Sequence, residues 1–245
     1  MKSFHWIPLA TLLACGSVFA QPATPAGTSG FVTAAQADTT PARAAAADAL
    51  KNLAAHVGAA GTTAPGTARA LERADHARHA SPPGFPLAVD DTGKLAGATI
   101  GWGFAVNDVL PADLAADADL AAAARPTGQW RYAIMLHGKP IGLVTVVDTG
   151  DGWQAVSFGA ATLSADIDTL VRQRAGDPDM TLRYVRVPQA TADFIEVSRH
   201  GAPARYVPLQ AARASLHLDR ATPRTGADLV PALREAARRN LAVSH

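Results

Sequence analysis

Cysteine is nearly absent from this chain: among 245 residues it occurs once, as Cys15. A lone thiol cannot make an internal disulfide, a thiolate metal site or a redox pair, and its place so near the start leaves no Cys nucleophile for the rest. Net charge is nearly absent as well, +1 at pH 7, which argues against a nucleic-acid partner. Beyond residue 20 no run is long and apolar enough to span a membrane as a helix. Several catalytic and binding signatures are missing too. There is no G-x-S-x-G elbow and no H-E-x-x-H. Gly101-x-Gly103 lacks the third glycine of a dinucleotide loop, and its residues look like strand, so close backbone packing explains these glycines. Asp148-Thr149-Gly150-Asp151-Gly152 lacks the later Glu of a calcium loop and reads as a tight turn. No cofactor is expected.

What is present begins with a leader. Lys2 and the amino terminus make a positive start, Ile7 to Ala20 is apolar and uncharged, and Val18-Phe19-Ala20 is followed by Gln21. Residues 1–20 therefore read as a secretory signal peptide cleaved after Ala20. Leu12-Leu13-Ala14-Cys15-Gly16-Ser17 resembles the lipobox of bacterial lipoproteins, which offers lipidation of Cys15 as the alternative. The expected location is the periplasm or the medium, or the outer membrane by a lipid anchor if Cys15 is modified.

Residues 21–84 are Ala, Thr, Pro and Gly with almost no aromatic or branched apolar residues, a composition that buries little surface against its chain entropy. They read as a partly helical tether. Thr40-Pro41 starts one helix, running from Ala42 to Val57, and Thr67 to Ala80 makes a second. Both are expected to be loosely attached, because short isolated helices are marginal in water.

Residues 85–245 read as one α+β domain. Ile100, Trp102 and Phe104 alternate with very small residues, as in a strand. Pro111 to about Ala124 reads as one helix. Trp130–Leu136, Ile141–Val147 and Trp153–Phe158 form a meander, with His137-Gly138-Lys139-Pro140 and Asp148–Gly152 as turns. Ser164 is placed as the cap of a helix carrying Ile167, Leu170 and Val171. Thr181–Val187, Asp193–Ser198 and Ala204–Leu209 form a second meander, and its His200-Gly201-Ala202-Pro203 turn echoes the first. A duplicated hairpin unit is one explanation of the echo; two turns of independent origin is the other. A helix from Ala227 to Leu241 closes the chain, with Leu229, Leu233, Ala237 and Leu241 on one side. The expected architecture is a largely antiparallel sheet of about six strands, two β-meanders, with helices packed on one face. Two separate three-stranded sheets are the alternative.

Candidate chemistry is sparse. Asp75, His76 and His79 share a helical spacing suited to a metal, though a solvated helix explains them as well. Trp102, Trp130 and Trp153 fall on neighbouring strands, as one core or as the lining of a groove. Charge is split along the chain: Gln21 to Thr169 holds nine Lys/Arg and fourteen Asp/Glu, Leu170 to His245 twelve Arg and seven Asp/Glu. The basic half includes Arg199 and Arg205 beside the second His-Gly turn. These arginines are expected mainly to pair with the acidic half or to lie in solvent. They form a ligand face only in part, since Arg183 and Arg186 point to opposite sides of a strand.

The functional expectation is an exported, non-catalytic domain that binds a peptide, a protein or an envelope component. A small periplasmic hydrolase, its His and carboxylates assembled by folding, is the alternative. A structure separates the two, because catalysis needs a His against a carboxylate and a hydroxyl within about 3 Å.

Overall fold

Bulky residues separated by glycine or alanine do make a strand of Thr99–Asp108 (β2), and the strands around it follow from the turns. The computed structural model describes residues 31–32, 40–59, 81, 84–116, 119–175, 177 and 179–243. The leader, Cys15, the Thr67–Ala80 helix and the Asp75, His76 and His79 set lie outside them. A two-residue strand Phe31–Val32 (β1) and helix Pro41–Ala59 (α1) precede a 3-10 turn at Thr92–Gly97 and β2. Then come α2 (Pro111–Ala115), α3 (Leu120–Ala123), β3 (Arg125–Leu136), β4 (Lys139–Asp148), β5 (Trp153–Gly159) and α4 (Ala161–Ala175). The last third holds β6 (Thr181–Val187), β7 (Ala192–Arg199), β8 (Ala202–Pro208), α5 (Gln210–Ser215) and α6 (Gly226–Val243).

Seven strands form one sheet in the order β5-β4-β3-β2-β6-β7-β8, with β1 added beside β2. Every neighbouring pair is antiparallel except β2 and β6, which run parallel over Val106 to Asp108 and Tyr184 to Arg186. The architecture is α+β with a mixed sheet. The two meanders meet at that short parallel seam, so the sheet has more strands than expected and is not divided in two.

Helices cover both faces rather than one. Along β3, Tyr132 and Ile134 point to the α1 side, and Ala133 and Met135 to the α4 side. The α1 face continues across β6–β8 under α6, whose Leu229, Leu233 and Ala236 pack on Val185, Val187 and Phe194. On the opposite face, Ile167 of α4 packs with Phe104, Leu143 and Tyr184. A sheet with apolar side chains on both sides needs cover on both, which a one-sided arrangement cannot supply. Leu241, expected on the packed side of α6, is exposed. Thr225 does start that helix, through reciprocal bonds with Asp228.

Three local readings change. The stretch after Pro111 is two short helices, the second capped by Asp119, whose carboxylate accepts the Ala121 N–H at 3.1 Å. Ser164 is a buried residue inside α4 and donates to the Ala161 carbonyl at 2.7 Å; the helix starts three residues earlier, after Ala160. The tether reading fails for α1. Ala42, Ala46 and Leu50 are buried on β2–β5 with Leu87, Ile100 and Val144, so this helix is packed on the sheet well before Phe85 rather than loosely attached. Spacing of four places these small residues on one helix face, and alanine lets that face approach closely.

Two contacts fasten α1. A bulge in β2 between Ile100 and Gly103 turns the carbonyls of Ile100 and Gly101 outward, and the Arg43 guanidinium donates to both. Gly103 lies beneath the Tyr132 ring, where an added Cβ would sit 2.3 Å from a ring carbon. That space lets the ring cross β2, and its hydroxyl meets Thr40 Oγ1 at 3.3 Å. Burial of the ring pushes the Tyr132 phenol above its ordinary pKa.

Candidate functional site

The tryptophans do not converge. Trp130 and Trp153 are half-buried on the α1 face, with Trp130 stacked on Tyr132 at 6.0 Å. Trp102 is on the α4 face, where its indole N–H donates to Asp168 at 3.0 Å. The second Asp168 oxygen accepts from Arg172 at 2.6 Å, and Arg172 also donates to the Gly138 carbonyl at 2.9 Å. Trp102 thus anchors α4 to the sheet and to the first His-Gly turn. The three rings therefore do not share one core: Trp102 lies on the opposite face of the sheet from Trp130 and Trp153.

The arginines behave differently. On the α4 face, α4 covers the middle of the sheet and leaves β7 and β8 partly open. The gap is a cleft of about 580 Å³. Its floor is apolar, from Leu170, Met180, Val197 and Val207, and Arg199, Arg205 and Arg213 line it as well. Register explains this grouping: Val197 of β7 is paired with Arg205 of β8, and Ile195 with Val207, so alternate residues of both strands face the cleft. Arg199 donates to Asp177 at 2.8 Å. Arg213 is held by Asp166 at 3.4 Å and by the Pro208 carbonyl at 3.0 Å. Arg205 is exposed and makes no ion pair or hydrogen bond among the described residues.

Pairing of the basic half is mixed. Arg186 forms a two-pronged pair with Asp108, both bonds 2.9 Å, and Arg213 reaches Asp166; these cross between the halves. Its hydrogen bonds to the Asp108 carboxylate hold the Arg186 guanidinium above its ordinary pKa. Arg183 instead pairs with buried Glu196, and Arg199 with Asp177, both inside the basic half. Arg183 and Arg186 do point to opposite faces: Arg183 also donates to the Ala121 carbonyl under α6, while Arg186 shares the face of Tyr184.

A second polar group lies beside the cleft, and sequence reading missed it. Arg131, Tyr184 and Asp193 come from three strands and meet on the α4 face near the starts of α4 and α5. Burial, first, keeps both the Tyr184 phenol and the Asp193 carboxyl above their ordinary pKa values. None of the described histidines, His56, His137, His200 and His217, is hydrogen-bonded to a carboxylate or hydroxyl. Among the described residues no three His, Cys, Asp or Glu gather as a metal site. The Asp148–Gly152 loop is a turn closed on itself, with Asp148 accepting the Gly150 N–H at 2.9 Å.

No family model matches the chain, and no solved structure matches it. Over 93 residues it is 34% identical to a protein of Methanopyrus kandleri named probable cobyric acid synthase, a stretch covering 32% of this chain and 19% of that protein. A cobyric acid synthase of Microcystis aeruginosa is 32% identical over 98 residues, covering 34% of this chain and 20% of that one. The chain thus spans about a fifth of the length of these relatives.

Proposed function

We propose that this is an exported, non-catalytic domain that binds a protein or peptide segment in the cleft between α4 and β7–β8. One observation carries the reading: an apolar floor with an exposed arginine, Arg205, that forms no ion pair or hydrogen bond among the described residues. A fitting segment places an apolar side chain on Val197 and Val207 and an acidic one on Arg205. Arg199 and Arg213 are already pinned by Asp177 and Asp166, so they shape the rim more than they attract. Export rests on the leader and on cleavage after Ala20; lipidation of Cys15 is its alternative, and intact-mass analysis of the protein from its host distinguishes them. No described helix is long and apolar enough to cross a membrane.

The cleft is tested with a fluorescent peptide of alternating Leu and Asp, and with its Leu-Lys counterpart. The acidic peptide is expected to bind and to weaken as salt rises through physiological strength, since exposed charges are screened over about 8 Å there. Arg205→Ala abolishes the preference. Equal binding of both peptides, or binding indifferent to Arg205→Ala, overturns the reading.

A further inference from the structure

The Asp166 carboxylate accepts the Gln210 N–H and the Arg213 guanidinium, and beyond this bridge the α4 face opens again. The second cavity holds about 540 Å³ and is lined by Arg131, Asp193, Gln210 and the first turn of α4. Arg131 and Asp193 carry opposite charges and face the same space. Neither forms an ion pair with the other or with any described residue. Their partly shielded neighbours all do: Arg183 with Glu196, Arg186 with Asp108, Arg213 with Asp166. Charges withdrawn from water are normally paired, so this separation calls for an explanation.

Tyr184 interacts with both. Its buried ring lies under the Arg131 guanidinium, 5.7 Å from centroid to central carbon. The hydroxyl accepts from Arg131 Nη1 at 3.3 Å and also acts on the Asp193 carboxylate. Arg131 Nε is buried without a partner. Across the cavity, the first amide of α4 to bond back along the chain is Ser164, to the Ala160 carbonyl at 3.0 Å. The amides of Ala161, Thr162 and Leu163 therefore remain donors at the positive end of a 15-residue helix. Ala160, Ala161 and Ala211 keep the walls small.

We propose that this cavity binds a small zwitterion of the amino-acid type, its carboxylate on Arg131 and the α4 amides and its ammonium on Asp193. A simple anion meets Asp193, and a simple cation meets Arg131 and the helix end. Only a molecule carrying both charges satisfies both walls, and this double requirement is the source of its selectivity. Arg131 donates to the carboxylate from the N–H groups that Tyr184 does not take, and the ammonium donates to the carboxylate of Asp193. The size is within the ordinary range of small-molecule sites, about 300–1,000 Å³.

Isothermal titration calorimetry of the full-length protein tests this with glycine, L-alanine, β-alanine and γ-aminobutyrate, and with acetate and methylamine as single-charge controls. The expected result is saturable binding of at least one zwitterion, about tenfold or more tighter than either control. Arg131→Gln and Asp193→Asn each weaken it by a similar factor, and Arg205→Ala leaves it unchanged. Asp193→Asn removes a charge without removing packing, so it remains informative if Arg131→Gln does not fold. No saturable binding of any zwitterion up to about 10 mM overturns the proposal. So does acetate binding as tightly, or binding that survives Asp193→Asn. Loss of peptide binding at the cleft with zwitterion binding intact overturns only the reading of the cleft.

Discussion

The His137-Gly138 and His200-Gly201 hairpins share a turn dipeptide and apolar flanks, yet the chain uses them in opposite ways. The first lies inside the sheet. β4 is paired on both edges, α1 and α4 cover its two faces, and Arg172 binds the Gly138 carbonyl. His137 and Gly138 both take left-handed backbone, φ +49° and +74°, the geometry of a tight two-residue hairpin. The second lies at the rim. Only Gly201 has positive φ in its turn, and the outer edge of β8 is met by a single bridge, from Tyr206 to Arg224. With cover missing on the α4 face, β8 presents Arg205 and Val207 to a cleft. The difference teaches that neighbours decide whether such a hairpin becomes core or surface. The two turns also differ in backbone, so the repeated dipeptide is not a repeated geometry.

The covered hairpin is the more sensitive of the two. Tyr132→Ala removes a fully buried ring from between β2 and α1, and is expected to cost about 3–5 kcal/mol in urea unfolding. A loss below about 1 kcal/mol would break the contrast. Arg183→Ala tests it from the other side, because Arg183 belongs to the rim meander but faces α6. It strands Glu196, which is only 6% exposed, and is expected to cost about 2–3 kcal/mol. Replacing both partners by Met and Leu recovers most of that loss.

Arg43→Ala removes the clamp of α1 on the β2 bulge. We expect about 1–2 kcal/mol and faster proteolysis between residues 41 and 59. Unchanged cleavage there would mean that Ala46 and Leu50 hold α1 without the clamp.

Asp193→Asn sharpens the comparison through pH. Burial raises the Asp193 pKa above its unfolded value, so the ionised carboxylate costs stability once pH climbs through the folded pKa. Below the unfolded pKa both states are protonated and the cost is absent. The Asn variant is therefore expected to melt higher than the native protein near pH 7, with the gain vanishing toward pH 3. A lower melting temperature near pH 7 contradicts this. Arg205→Ala, at the exposed rim, is expected to change unfolding by less than about 0.5 kcal/mol.

Most strands were legible along the chain. The β3–β4–β5 meander followed from alternation and turn residues, and α6 from Thr225 and its leucine spacing. The separation of Arg183 from Arg186 followed from the period of two. α1 was legible as a helix but not as a packed one, because Ala42 and Ala46 give little hydrophobic signal and gain their burial only against Ile100 and Val144. Of the candidate residues, Arg199 and Arg205 fell together, and the three tryptophans did not, since one bulge in β2 shifts the face on which Trp102 lies.

Local composition by itself determined the positions of the turns and the alternation of the strands, because each depends on a few adjacent side chains. The parallel β2–β6 seam, the cover on both faces and the meeting of Arg131 with Asp193 were decided only by tertiary structure. These groups are distant in sequence, and what joins them is the burial of two apolar faces at once, a property of the assembled sheet that no single segment carries.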